Sequence, residues 1–169
     1  SKHVHIVQLG LQDLLGTRMF CGRSKKYADM YDRKAKWFAK RLEEGMRYKL
    51  YQHEPGKTVG FIETIPGENA WRAVDAKGYL FVHCFWVLGK SKGKGYGTAL
   101  LKDTIADARR SGYSGVAVVT SFEHWLPNKR IFIKHGFEQV DQLPPAFELF
   151  VKRFDTNARL PRFNRNTAA

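Results

Sequence analysis

The chain has 169 residues, 43% hydrophobic and 14% aromatic, which is material for one well-filled core and cramped for two domains. Lys and Arg number 29 against 16 Asp and Glu, and the resulting net charge of +13 calls for an anionic partner: a phosphate-bearing coenzyme, a nucleic acid or an acidic protein. No apolar run reaches membrane-spanning length, no charged-then-apolar leader is recognisable, and Cys21 and Cys84 are too few for a disulfide framework or a zinc site, so the expectation is a cytoplasmic protein with reduced thiols.

Residues 4–9 predict a first strand. Over 11–20 the spacing of Leu11, Leu14, Leu15 and Met19 is helical, and over 27–42 Tyr27, Met30, Tyr31, Trp37, Phe38 and Leu42 form a second helical stripe that Gly45 stops. Residues 46–54 and 58–65 flank Pro55-Gly56-Lys57, a tight-turn signature, and predict an antiparallel hairpin. The stretch 66–78 is rich in turn formers; Trp71, Arg72 and Glu68 either overhang a cleft there or merely pin a long loop. Residues 79–88, Tyr-Leu-Phe-Val-His-Cys-Phe-Trp-Val-Leu, predict a central strand buried on both faces.

That strand empties into a turn carrying Gly89, Gly93, Gly95 and Gly97 with Lys90, Lys92 and Lys94, and helical spacing resumes over 98–111. A glycine turn opening a helix, whose first amides lack partners and whose dipole is positive at that end, is an anion cradle. The spacing fits neither a P-loop nor the G-x-G-x-x-G dinucleotide turn, since Gly93, Gly95 and Gly97 give G-x-G-x-G. Further on, 115–121 predicts a buried strand, a helix starts at Asn128, and 137–143 and 147–154 predict two final strands around Pro144-Pro145. Residues 155–169, with three Arg and no apolar period, predict a basic tail that is ordered only if it docks.

Lys92-Gly93-Lys94-Gly95-Tyr96-Gly97 resembles the (Gln/Arg)-x-x-Gly-x-(Gly/Ala) motif of the GNAT superfamily of acyl-CoA-dependent N-acetyltransferases, with Lys in first place. A second block, from Asn128 to Gly136-Phe137, is similar to the family's later helix. The resemblance implies a single-domain α/β fold over 1–154: a mixed, mostly antiparallel sheet whose central parallel strands splay apart, flanked by helices. It implies transfer of an acetyl group from acetyl-CoA, without a metal, to a small-molecule or peptide amine by direct attack in a ternary complex. The implied coenzyme contacts are Phe85, Trp86 and Val87 through their backbone, Lys92, Gly93, Lys94, Gly95, Tyr96, Gly97 and Thr98 in the loop, and Asn128 and Phe132 on the later helix. Two helices in the place of 11–20 and 27–42 wall the acceptor side in that family, and the protein is expected to be a monomer or homodimer.

The proton transfers are less legible. Phe132 stands where the family's thiolate-protonating Tyr is usual and has no proton to give. Three groups are candidates for the base that deprotonates the amine: His83 on the central strand, Glu123 with its neighbour His124 past the following strand, and Glu63 on the hairpin. His83 also reads as a hydrogen-bonded core residue, and alternation along a regular strand turns Cys84 to the opposite face. The competing function is a GNAT-fold binding module without transfer activity, using its basic surface for RNA or a protein.

Overall fold

The computed structural model describes residues 5–10, 13, 28–91, 93–121 and 128–165. Seven strands form one sheet in the order β1 (Ile6–Gln8), β2 (Arg47–Glu54), β3 (Lys57–Pro66), β5 (Leu80–Val87), β6 (Gly115–Ser121), β8 (Phe147–Arg153), β7 (Glu138–Leu143). The β5–β6 pair is parallel and every other neighbouring pair antiparallel. A smaller ladder joins β4 (Val74–Asp75) to β9 (Arg162–Phe163). No helix among the described residues is long and apolar enough to cross a membrane.

Helix α1 (Ala28–Glu43) covers one face of the sheet through Phe38, which is fully buried among Tyr48, Phe81 and Leu149. Helices α2 (Tyr96–Arg110) and α3 (Lys129–Lys134) cover the other face, where Leu100, Leu101 and Phe132 pack on Ile62, Leu80, Val116 and Val118. The two cores follow from strand alternation: odd residues of β3 face α1 and even ones face α2. Buried Lys49 of β2 would be costly alone but meets Asp103 at 2.7 Å and Asp107 at 3.2 Å, and Arg47 meets Asp107 at 2.7 Å, so ion pairs tie α2 to the sheet. Burial works against the Asp107 carboxylate, but Lys49 and Arg47 outweigh it and hold its pKa below the ordinary value.

The predicted hairpin forms with Gly56 at φ +78°, and Gly45 ends the helical region before β2 at φ +91°. The first predicted helix, 11–20, lies outside the described residues except for Asp13. One expectation needs correction. The central strand is buried on both faces only through Val82; from His83 onward it is partly exposed, because β6 has left its side. The segment after β8 docks along 155–165: β9 pairs with β4, the Asn164 amide donates to Ala73 O, and Arg165 and the Phe163 amide bind Asp141. Periodicity does not reveal this strap because its hold is polar and two residues of strand suffice.

Hydrogen bonds from Arg165, opposed by modest burial and helped by the Phe163 amide, hold the Asp141 carboxyl at a pKa of about 2. The folded-state value lies below the unfolded one, so this stabilisation is present above about pH 4 and is lost as pH falls toward 2. Asp141→Asn should cost about 1.5 kcal/mol at neutral pH, and urea titrations at pH 7 and pH 2.5 should show the difference from wild type shrinking in acid. Gly67 is held under the β4 turn, where an added Cβ would lie 1.8 Å from Ala76 O. Gly67→Ala should therefore destabilise by about 3 kcal/mol, seen as a lower urea midpoint.

Candidate active site

A one-residue irregularity in β5 creates the site. Across β3 and β5, Glu63 faces Cys84 and Thr64 faces Val82, which leaves His83 as an extra residue on β5. The parallel ladder ends at the same level: Leu80, Phe81 and Val82 pair with Val116, Ala117 and Val118, and no pair follows. Beyond this point the β6-facing edge of β5 through Val87 has no strand partner among the described residues, so its backbone donors and acceptors on that edge are outside the ladder.

The bulge also resets which way side chains point. Phe81 and His83 face α1, where both contact Trp71, whereas Phe85 and Val87 lie against Gly97 of α2. Cys84 stands opposite Glu63, and cross-strand partners share a face, so Cys84 lies on the His83 side. This overturns the expectation from regular alternation, which a bulge interrupts. The thiol remains a poor nucleophile: burial first, and the Glu63 charge second, raise its pKa.

Of the proposed bases, Glu63 and His83 come together. His83 Nδ1 lies 2.6 Å from Glu63 Oε2, and its Nε2 is 2.5 Å from Trp71 Nε1. An indole N–H can only donate, so Nε2 carries the lone pair, and Nδ1 carries the proton and donates it to the carboxylate. Glu63 is 7% exposed and needs such a donor. An aromatic series, Tyr48, Phe61 and Trp86, continues the same face, with ring centroids 5.1 and 5.9 Å apart, and Trp86 is 45% exposed. Glu123, His124 and Lys92 lie outside the described residues. Glu68 accepts from the Gly78 amide at 2.6 Å and closes the loop rather than a cleft. Trp71 had a sequence signal, a lone Trp in a turn-rich loop, but nothing in the sequence tied it to His83.

The glycine turn has the form expected of an anion cradle. Gly93 and Gly95 take φ of +81° and +82° with open space where a Cβ would stand, and Gly95 is the N-cap of α2. The first helical bond runs from the Ala99 amide to Gly95 O, so the amides of Tyr96, Gly97 and Thr98 precede the ladder. The ring of Tyr96 packs on Tyr51 at 4.6 Å and anchors the turn, so only its backbone faces the cradle. Lys94 is exposed beside it. Asn128 caps α3 by accepting from the Arg130 amide at 2.9 Å. Phe132 is fully buried against Phe85 and Phe137 and packs in the core beneath the cleft-side strand β5. One turn earlier on α3, Lys129 reaches Glu148 of β8 at 3.2 Å.

A parallel pair that parts at a bulge, with a glycine cradle at its mouth, is the architecture of an acyltransferase domain. The family model for the acetyltransferase (GNAT) family matches residues 11–137, and the chain belongs to that family. It is 32% identical over 143 residues to the uncharacterized N-acetyltransferase YoaP of Bacillus subtilis (strain 168), a match covering 83% of this chain and 55% of that protein. The chain thus spans about half the length of this curated relative. Among solved structures it resembles ribosomal-protein-alanine N-acetyltransferase from Brucella melitensis, with TM-score 0.62, 15% identity, and 88% of this chain and 98% of that chain covered. It also resembles a GNAT family acetyltransferase from Brucella melitensis solved in complex with acetyl-CoA, with TM-score 0.57, 19% identity and coverage of 95% and 92%. These likenesses establish the fold.

The raised Cys84 pKa has a direct consequence. In a Cys21→Ser background, iodoacetamide at pH 8 should label folded Cys84 at least about tenfold more slowly than free cysteine, and Glu63→Gln should narrow the gap.

Proposed function

We propose that the chain moves an acetyl group from acetyl-CoA to a primary amine by direct attack in a ternary complex, with His83 accepting the amine's proton. The observation that carries this reading is the Glu63–His83 pair at the level where β5 leaves β6. An ammonium must lose a proton before its nitrogen can attack. An imidazole whose far nitrogen is held by a buried carboxylate has the right orientation and gains stability when it becomes imidazolium. The coenzyme's diphosphate suits the amides of Gly93 through Thr98 with Lys92 and Lys94, and its amide-bearing arm suits the unpaired edge of Phe85, Trp86 and Val87. In this reading a backbone N–H at Val87 polarises the thioester carbonyl. Asn128 borders the coenzyme from α3. Glu123 is the remaining alternative base.

Phe132 gives no proton to the departing thiolate. A CoA thiolate is a tolerable leaving group and can take a proton from water; the Lys129 ammonium, one turn earlier on α3, is paired with Glu148. The second reading, a binding module without transfer, draws on the Trp71 hydrogen bond, which occupies the lone pair His83 would need.

Calorimetric titration of acetyl-CoA should give micromolar binding that Gly95→Asp abolishes, because a carboxylate would face the diphosphate. In a panel of primary amines, His83→Gln should lower kcat by about 10²- to 10⁴-fold with acetyl-CoA binding retained. Binding without transfer to any amine would favour the module, and no binding by the wild type would overturn both the coenzyme site and the enzyme.

A further inference from the structure

Resting on that reading, we propose that Trp71 is the gate of the proton acceptor: an amine gains access to His83 only by taking the place of the Trp71 indole. The indole N–H points at His83 Nε2 at 2.5 Å, while Nδ1 is committed to Glu63 at 2.6 Å. With both ring nitrogens engaged, the imidazole has no site left for an incoming proton. Once protonated, Nε2 becomes a donor, and two donors cannot share one hydrogen bond. Capture of a proton by His83 and release of Trp71 are therefore one event.

The frame that carries the gate is rigid, so the motion belongs to the side chain. Residues 70–73 have no ladder of their own, but the Val74 amide donates to Trp71 O at 2.9 Å. Asn164 holds the next two carbonyls, its side-chain amide on Arg72 O at 2.9 Å and its backbone amide on Ala73 O at 2.8 Å. Arg159 holds Asp75 at 2.8 Å, and the β4–β9 pair closes the clamp. The indole is partly buried against Phe81 and His83, with ring centroids at 6.0 and 5.5 Å. Rotation about its own χ angles moves it off Nε2 without disturbing this backbone.

An ammonium N–H donates into Nε2 in the geometry the indole vacates. Its proton passes to Nε2, the freed lone pair on nitrogen forms the C–N bond, the C–S bond breaks as the thiolate leaves, and the second proton that nitrogen sheds on becoming an amide passes through water to the thiolate. The imidazolium then returns its proton to water and the indole closes again. Trp71 is a positioning residue in this scheme: it has left Nε2 before the proton arrives, and it sets which amines reach the base, favouring those able to displace a ring from the α1 face.

Trp71→Phe keeps a ring against Phe81 and removes the N–H. With no indole to displace, KM for the amine should fall about three- to tenfold with kcat within about twofold of wild type. A merely structural role predicts the reverse, a lower kcat with a raised KM. A second readout needs no activity. In protein labelled with ¹⁵N at histidine and tryptophan, with His83→Gln for assignment, His83 should be the Nδ1–H tautomer, and its protonation and the shift of the Trp71 indole N–H should share one midpoint on acidification. The groups recorded against the ring are Glu63 on β3, the Trp71 indole in the loop and the Phe81 ring on β5. An indole signal unmoved through His83 protonation overturns the gate whether or not acetyl transfer is detected. Absence of transfer together with the coupled midpoint would overturn the base role and leave the hydrogen bond standing.

Discussion

The extra residue in β5 is the constraint on which the rest of the molecule depends. Up to Val82 the strand is an ordinary central strand with partners on both edges and a core on both faces. At His83 the register with β3 slips by one, and the parallel ladder to β6 ends at the same level. A bulge increases local twist and bends its strand. On the other edge the ladder to β6 does not resume among the described residues, and that edge is where backbone donors and acceptors remain for a ligand. The same slip places His83 and Cys84 on one face and Phe85 and Val87 on the other, so one residue both opens the cleft and sorts its walls.

The sorting divides the chemistry. The α1 face carries Glu63, His83, Trp71 and the aromatic series to Trp86, groups suited to proton transfer and to an organic acceptor. The α2 face carries the glycine turn, the helix amides and lysines, groups suited to an anion. Part of the basic composition is neutralised structurally: Arg47 and Lys49 serve α2, and Arg159 and Arg165 serve the strap. Each of these pairs joins a cation to a carboxylate already counted against it, so the net charge of +13 is unchanged by them and still calls for an anionic partner.

Much of the fold was legible. The hairpin around Gly56, the buried 115–121 strand, and the strand–cradle–helix passage through Gly95 all declare themselves through period, turn chemistry and glycine position, signals that act within a few residues. What escaped is what depends on pairing between distant segments. A bulge has no composition of its own, so Cys84 was assigned to the wrong face. The strap is held by Asp141, Asp75 and Arg72, residues 22 to 92 positions away, and its residues look like a polar tail until those partners are in place. Phe132 was placed by motif spacing alone, which gives position along a helix but not depth. His83 and Glu63 were separate candidates, and only the register of β3 against β5 makes them a pair.

That pair also explains why the site does not collapse in the absence of substrate. A carboxylate as enclosed as Glu63 costs several kcal/mol unless it has a donor, and on its own face the donor is the imidazole. Donating from Nδ1 obliges His83 to present a lone pair at Nε2, and a bare lone pair in a half-buried aromatic setting is itself unfavourable. Trp71 supplies the one polar hydrogen that an aromatic lid can offer. The requirement to satisfy a buried charge thus propagates through two rings to the loop, and from the loop through Asn164 to the strap. The order in which these contacts can be broken follows from their strength. The neutral indole–imidazole bond is the weakest of the series, the carboxylate-bound nitrogen stronger, and the clamped backbone strongest by number. An incoming ammonium, whose hydrogen bond to Nε2 is charge-assisted, competes first with the indole, the one contact whose loss leaves the buried carboxylate still paired.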